Sequence, residues 1–355
     1  MSDRAPWRVI APAPAGVFDG IGDFSALLTT ALQSFAPTEL FVRRAHWREV
    51  EQIDVQNTAG AVVQYIPQAF MRGDMRALLR WLDRLRAAGK PVILTVHEYW
   101  PPLDGTIRRA AVRLLFRRML RACARRSSAI VTSQEFSAHD IAHIAPGRRI
   151  VAIPVGSAIA RAASGTRERP VADACALVVF GQPAALHAPT MQSIGTWLAS
   201  APTGVSLTWL GRSSDEMRAR WCETWKLSAD RVVFAGGLPA ADVSAVLQAA
   251  RIGLAPYENG ASTRRTSFAA LLEHQLPVVA VDGLYTSEWL RESAACAWTP
   301  EGDPGAFVEA LGALMADVLR QAVLGARAGA LFESRLSWPR IGAAYARLLS
   351  EGVVQ

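Results

Sequence analysis

Only two of the 355 residues are lysine, Lys90 and Lys226, and only four are cysteine. The cysteines, Cys123, Cys175, Cys222 and Cys296, are far apart and form no C-x-x-C pair. That spacing supplies neither a disulfide framework nor a zinc site, and it fits a reducing compartment. The N-terminal stretch MSDRAPWRVIAPAP has no apolar core of the kind a secretory signal needs. No apolar run reaches the roughly 18 residues required to cross a bilayer. A cytoplasmic protein is expected, with membrane contact left open at its surface. Repeats of solenoid length and low-complexity tracts are also missing.

What is present is largely apolar. Hydrophobic residues make up 51% and charged residues 19%, enough to bury sizeable cores, and the length fits two domains. The formal net charge is +7, with nearly all the cations arginine. A basic balance of this kind points to an anionic partner: nucleotide phosphate, membrane surface or nucleic acid.

Short runs rich in β-branched residues alternate with amphipathic stretches. WRVIA (7–11), ELFV (39–42), AVVQYI (61–66), PVILTV (91–96), AIVTS (129–133) and IVAIP (150–154) read as strands buried on both faces. Helical patterns separate them at about 23–35, 74–88, 106–126 and 135–144. The rhythm repeats with strands at 176–181, 205–211, 231–236, 251–257 and 277–283. Its helices fall near 190–200, 213–226, 239–250, 264–274 and 304–328, and a last helix follows SWPR (337–340). Such alternation implies parallel sheets with right-handed crossovers. The expected fold is α/β: two Rossmann-like, doubly wound domains facing a cleft. The boundaries are 1–158 for the first domain, 159–172 for a linker, 173–335 for the second domain and 336–355 for the closing helix. Ligands in such sheets bind at the C-terminal strand edges.

Four features stand on those edges. Gly20, Gly22 and Asp23 follow the first strand; the glycines permit close backbone approach, and Asp23 is expected to cap the next helix. The same residues also make an ordinary strand–loop–helix turn. His97 and Glu98 follow the strand at 91–96, where a histidine can serve as base or hydrogen-bond donor, or simply as a helix cap or a satisfied loop residue. The other histidines lack metal-ligand spacing except His139 and His143, which have no third partner, so no metal site is expected. Tyr257, Glu258, Arg264, Arg265, Thr266 and Ser267 surround the start of the helix FAALLEH. Serine or threonine caps, free amides and two arginines there would clamp a diphosphate; the alternative is that both arginine side chains simply lie in solvent. Arg212 stands on the same edge.

The fourth feature is the arginine-rich helix Arg108–Arg126, with eight arginines and no acid. Its residues 107, 110, 111, 114, 115 and 119 form an apolar stripe expected to pack on the core. The arginine face is either solvated or docked on an anionic membrane surface. With Phe116 as its one aromatic, the helix lacks the aromatic interleaving typical of nucleic-acid platforms, which ranks nucleic acid last among the partners.

Taken in order, these segments resemble the GT-B glycosyltransferases of the family 4 type along nearly the whole chain. DGIGDFSALLTTAL, VVQYIPQAF, KPVILTVHEYW and SSAIVTSQEFSAHDI resemble the acceptor-side domain. VVFAGGLPAADVSAVLQAARIGLAPYENGASTRRTSFAALLEHQLPVVAVDG is similar to the donor-binding core, and FESRLSWPRIGAAYARLL to the closing helix. The resemblance implies sugar transfer from a UDP- or GDP-linked nucleotide-sugar to a glycan or lipid-linked acceptor, with retention and no metal or other cofactor. It assigns the diphosphate to Arg264, Arg265, Thr266 and Ser267. Gly236, Gly237 and Leu238 would line the base pocket, His97 and Glu98 would face sugar and acceptor, and the segment from Gly20 to Asp23 would close on the reacting region. Two departures stand out. The family's glutamate pair falls on Ser262 and Ala270, with Glu258 and Glu273 as nearby substitutes. The family's Arg and Lys clamp is replaced by the segment Gly181 to His187. These losses leave a second expectation open, a catalytically silent GT-B protein acting as a binding or scaffold partner.

Overall fold

The computed structural model describes residues 4–12, 20–44, 46–67, 75–98, 107–162, 175–211, 215–225 and 231–352. They divide into two units. Unit 1 is Met1–Pro154 with Trp338–Gln355, and unit 2 is Val155–Ser337.

Unit 1 is built on a parallel six-stranded sheet. Its strands are β1 (Trp7–Ala11), β2 (Thr38–Val42), β3 (Gly60–Tyr65), β4 (Val92–Val96), β5 (Ala129–Thr132) and β6 (Ile150–Ala152). The spatial order is β2-β1-β3-β4-β5-β6. The chain leaves β1 toward one edge and returns on its other side at β3, so the switch point lies between β1 and β3. Every residue of β3, β4 and β5 is buried, which is why these runs read as nearly continuously apolar rather than alternating. Trp47, Tyr65, Leu78 and Trp81 centre the core on one face. The other face carries the helix Gly20–Gln33 and the terminal helix Trp338–Ser350. Those two helices cross so closely that a Cβ on Gly342 would come within 2.9 Å of Ala31 Cβ. The hydroxyls of Thr95 and Tyr345 lie 3.0 Å apart, tying the last helix to β4.

Unit 2 repeats the plan with β7 (Cys175–Phe180), β8 (Val205–Leu210), β9 (Val232–Ala235), β10 (Ile252–Ala255), β11 (Val278–Asp282) and β12 (Cys296–Pro300). The order β12-β11-β10-β7-β8-β9 places its switch point between β7 and β10. Trp209, Tyr257, Phe268 and Phe307 are among its fully buried side chains.

Three local readings differ from the periodicity. β12 is not apparent in the sequence because CAWTP is short and ends in proline, which an edge strand tolerates. The stretch expected as one helix at 304–328 is two, Pro304–Ala316 and Val318–Leu331. Asp317 divides them: its carboxylate accepts the Arg320 N–H at 2.8 Å and so starts a new helix. In the arginine-rich helix, Ile107–Ala124, the buried positions among the described side chains are Phe116, Met119, Leu120, Cys123 and Ala124. This stripe at i, i+3, i+4, i+7 and i+8 leaves Leu114 and Leu115 about half exposed, contrary to the stripe expected to bury them.

Candidate active site

The rim of unit 2 is organised by Tyr257. It follows β10, is fully buried, and donates its hydroxyl to Phe180 O at the end of β7, 2.8 Å away. The backbone closes the same gap. Leu186 and Tyr257 form an antiparallel bridge, and the His187 N–H donates to Pro256 O at 2.8 Å. The switch point is thereby sealed below the rim. Burial pushes the Tyr257 hydroxyl up to about 12, partly offset by its hydrogen bond with Ser267 and by Arg265, so it remains a neutral donor.

Above Tyr257 lies Arg265, its guanidinium carbon 4.6 Å from the ring centre. Burial lowers the Arg265 pKa, countered first by Tyr257, with Arg264 adding to the lowering. Its Nε is enclosed without a hydrogen-bond partner. Arg264 is exposed, 5.8 Å from the centre of the Tyr285 ring. The loop beneath is tightly determined. Gly260 has φ +88°, and a Cβ there would come within 2.5 Å of Gly283 N. The Ala261 N–H donates to Val281 O and the Tyr285 N–H to Asn259 O.

The helix that follows is Thr266–Glu273. The cap expected from serine or threonine is not made: Arg265 is the N-cap residue and gives no side-chain cap. Arginine has only donors, so it cannot satisfy helix N–H groups. Positive side chains thus crowd the positive end of a helix, a costly arrangement that an anion relieves.

The remaining unit 2 candidates are spread out. Gly236, Gly237 and Leu238 follow β9, two strands from β7 and so about 10 Å along the rim. Glu258 is exposed beside Tyr257. Glu273 is not brought to the rim. It ends the helix that Arg265 begins, and its carboxylate accepts the Arg161 N–H at 3.1 Å and a bond from Ser157. Ser262 and Ala270, at the glutamate-pair positions, are both fully buried. Arg212 lies outside the described residues.

On unit 1, His97 follows β4, and its N–H donates to Tyr65 O. Its Nε2 is 2.6 Å from Gln64 Oε1, and the Phe24 ring meets it edge-on at 5.1 Å. Burial lowers its pKa to about 4, so the ring is neutral near pH 7. Glu98 beside it is exposed. Gly20, Gly22 and Asp23 do not form the expected capped loop. The helix Gly20–Gln33 already contains them, with Asp23 in its first turn. Phe24, Leu28 and Leu32 bury one stripe, and the helix continues backward past the expected cap; Asp23 then complements the helix dipole from inside the turn.

Two contacts were invisible in the linear reading. Gln64 is one, and its only signal was a polar residue inside AVVQYI. The other is His187, at the N-cap of the helix Ala188–Ser200, its Nδ1 2.8 Å from Thr190 Oγ1.

Residues 191–317, which include β8 to β12 and the Tyr257–Arg265 site, match the family model of glycosyl transferases group 1. The protein carries a group 1 glycosyltransferase domain. Solved structures extend the likeness to the whole chain. WaaG, a glycosyltransferase involved in lipopolysaccharide biosynthesis, is 12% identical with a TM-score of 0.66, over 97% of this chain and 100% of that one. Anabaena HepE in complex with UDP-glucose is 13% identical at 0.67, over 97% and 99%. The Thermosynechococcus elongatus sucrose-phosphate synthase is 14% identical at 0.68, over 98% and 99%. At such identities the likeness shows the fold, which is that of the two-domain GT-B glycosyltransferases. No curated protein matches the sequence significantly. By domain and fold this enzyme is a glycosyltransferase.

Proposed function

We propose that this glycosyltransferase moves a sugar from a nucleotide-sugar to a glycan or lipid-linked acceptor in surface polysaccharide or glycoconjugate synthesis, with retention at the anomeric carbon. The observation that carries the reading is Arg265 stacked on Tyr257 at the switch point of the unit 2 sheet. Arg264, Arg265 and the first turn at Thr266 and Ser267 would hold the diphosphate. As the bond to the sugar breaks, negative charge grows on that diphosphate, and fixed positive groups stabilise it without reorganising. No divalent cation is needed for this, since the arginines and the helix end supply the charge. UDP is the first donor to try, because HepE has been solved with UDP and UDP-glucose. His97, Glu98 and Asp23, on unit 1, are assigned to the sugar and acceptor.

The acceptor side is further assigned to an anionic membrane surface. Exposed Leu114 and Leu115 lie among Arg113, Arg117 and Arg118 on one helix, which combines apolar insertion with charge attraction. Among the described residues no helix is long and apolar enough to cross a membrane, so contact of this kind would be peripheral.

Calorimetry with UDP, GDP, ADP and dTDP tests the donor assignment. Binding of one diphosphate, lost in Arg265→Ala and kept in the surface control Arg320→Ala, is expected. Absence of binding to all four sinks it. Transfer or donor hydrolysis that disappears in Arg265→Ala alone excludes the silent scaffold.

A further inference from the structure

Gln64 interrupts an otherwise apolar strand. All of β3 is buried, and Gln64 is 0% exposed one residue before the strand ends. A buried primary amide is costly unless its oxygen and nitrogen find partners. The oxygen has one, His97 Nε2 at 2.6 Å. An amide oxygen has no proton to give, so Nε2 carries the hydrogen. In a neutral imidazole the other nitrogen, Nδ1, is then the acceptor. The amide nitrogen of Gln64 is enclosed and meets no acceptor among the described residues.

The surroundings hold this pair still. Gln64 and Thr95 are register partners across β3 and β4, and Thr95 is bonded to Tyr345 of the terminal helix. Phe24 covers the His97 ring edge-on, and Trp338 lies 5.5 Å from Phe24. The imidazole is therefore restrained by three elements that come from distant parts of the sequence.

We infer that Gln64 is a positioning residue that locks His97 as the Nε2–H tautomer, so that Nδ1 offers a lone pair to a hydroxyl group of the sugar or acceptor. The valence left over for a ligand is the acceptor on Nδ1, since the Gln64 amide nitrogen is enclosed. A hydroxyl has the proton that such an acceptor takes. A fully ionised phosphate has no proton for Nδ1. The ligand class at this place is a hydroxyl-bearing compound rather than a fully ionised headgroup. That second half rests on the sugar-transfer reading above; the tautomer does not.

Long-range ¹⁵N correlation spectra of full-length, histidine-labelled protein at pH 7.5 report the tautomer directly. The wild type should show His97 as Nε2–H. Gln64→Leu keeps the volume but removes the acceptor, and should give a mixture or the Nδ1–H form. Gln64→Glu keeps an acceptor and should retain Nε2–H. It should also raise the His97 titration midpoint, because a neighbouring carboxylate favours the imidazolium. Asp23 on the Phe24 helix, Glu98 beside His97 and Arg340 on the Trp338 helix are common to every variant, so the difference isolates position 64.

In transfer assays Gln64→Leu should lower kcat/KM for the acceptor about tenfold, the worth of one neutral hydrogen bond, with UDP affinity unchanged. Gln64→Glu should recover part of that loss. An Nδ1–H tautomer in the wild type, or an unchanged tautomer in folded Gln64→Leu, overturns the assignment. If Gln64→Leu does not fold, the wild-type spectrum alone decides. Intact tautomer behaviour with no effect of Gln64→Leu on kcat/KM for either the donor sugar or the acceptor overturns the hydroxyl-reading half only. Failure to bind any nucleotide would leave these spectra unaffected, so the two readings fail separately.

Discussion

The guanidinium of Arg265 rests on the face of Tyr257, 4.6 Å from its centre, and the Tyr257 hydroxyl is bonded to the end of a different strand, β7. A cation whose position depends on two strands and a helix start keeps its place when a ligand arrives, which is what charge stabilisation of a leaving diphosphate demands.

Removing that cation should separate binding from stability. Arg265→Ala should weaken nucleotide diphosphate binding by roughly 10- to 100-fold, the range for a hydrogen bond to a charged group. Its melting temperature without ligand should stay level or rise, because a buried charge at a helix N-terminus opposes the dipole. Arg264→Ala, at an exposed site, should cost less affinity. Calorimetry and thermal melts on the same samples check both. A drop in melting temperature with unchanged affinity would refute the assignment.

Tyr257→Phe should cost about 1–2 kcal/mol in the unfolding of unit 2, since it strands Phe180 O and removes the partner of Ser267. Denaturant titration followed by tryptophan fluorescence, with Trp209 in the same core, measures it. A loss below about 0.3 kcal/mol would mean that water replaces the hydroxyl.

Gly260→Ala should be among the most damaging single changes in unit 2. At φ +88° an L side chain is strained, and the new Cβ would meet backbone at 2.5 Å. A destabilisation above about 2 kcal/mol is expected, together with loss of nucleotide binding, because this loop leads directly into Arg264 and Arg265. Full binding in a folded Gly260→Ala protein would show that the loop relaxes freely.

His97 predicts the acid side of the stability curve. Its folded pKa, about 4, lies below the unfolded value of about 6.5. The unfolded chain therefore binds the proton first as pH falls. Stability should drop by up to about 1.4 kcal/mol per pH unit between roughly pH 6.5 and 4, and level off for this group below that. His97→Gln should flatten this segment relative to wild type in denaturant titrations at stepped pH. Identical slopes would argue that the folded histidine protonates normally.

Replacing Leu114 and Leu115 by aspartate should abolish flotation with anionic liposomes and leave nucleotide binding intact, because both side chains are exposed and lie outside the buried stripe. Retained flotation, or no flotation of the wild type, would remove the membrane from the proposal.

The sequence by itself determined the two parallel sheets. Runs such as VILTV and LVVF can satisfy their backbone and bury both faces only as inner strands, and that requirement is local. It also carried the double arginine at a helix start, since adjacent residues share a turn in any fold. It misplaced the cap at Asp23, the break at Asp317 and the buried stripe around Leu114, where propensity competes with packing partners not yet present. Only the tertiary structure decided which rim residues meet. Gln64 reaches His97 because β3 and β4 are neighbours in register. Tyr257 reaches Phe180 because β10 returns to lie parallel beside β7 at the switch point. Tyr345 reaches Thr95 across 250 residues. Strand order is set by the burial of whole faces, a property of the assembled sheet, and no single segment contains it.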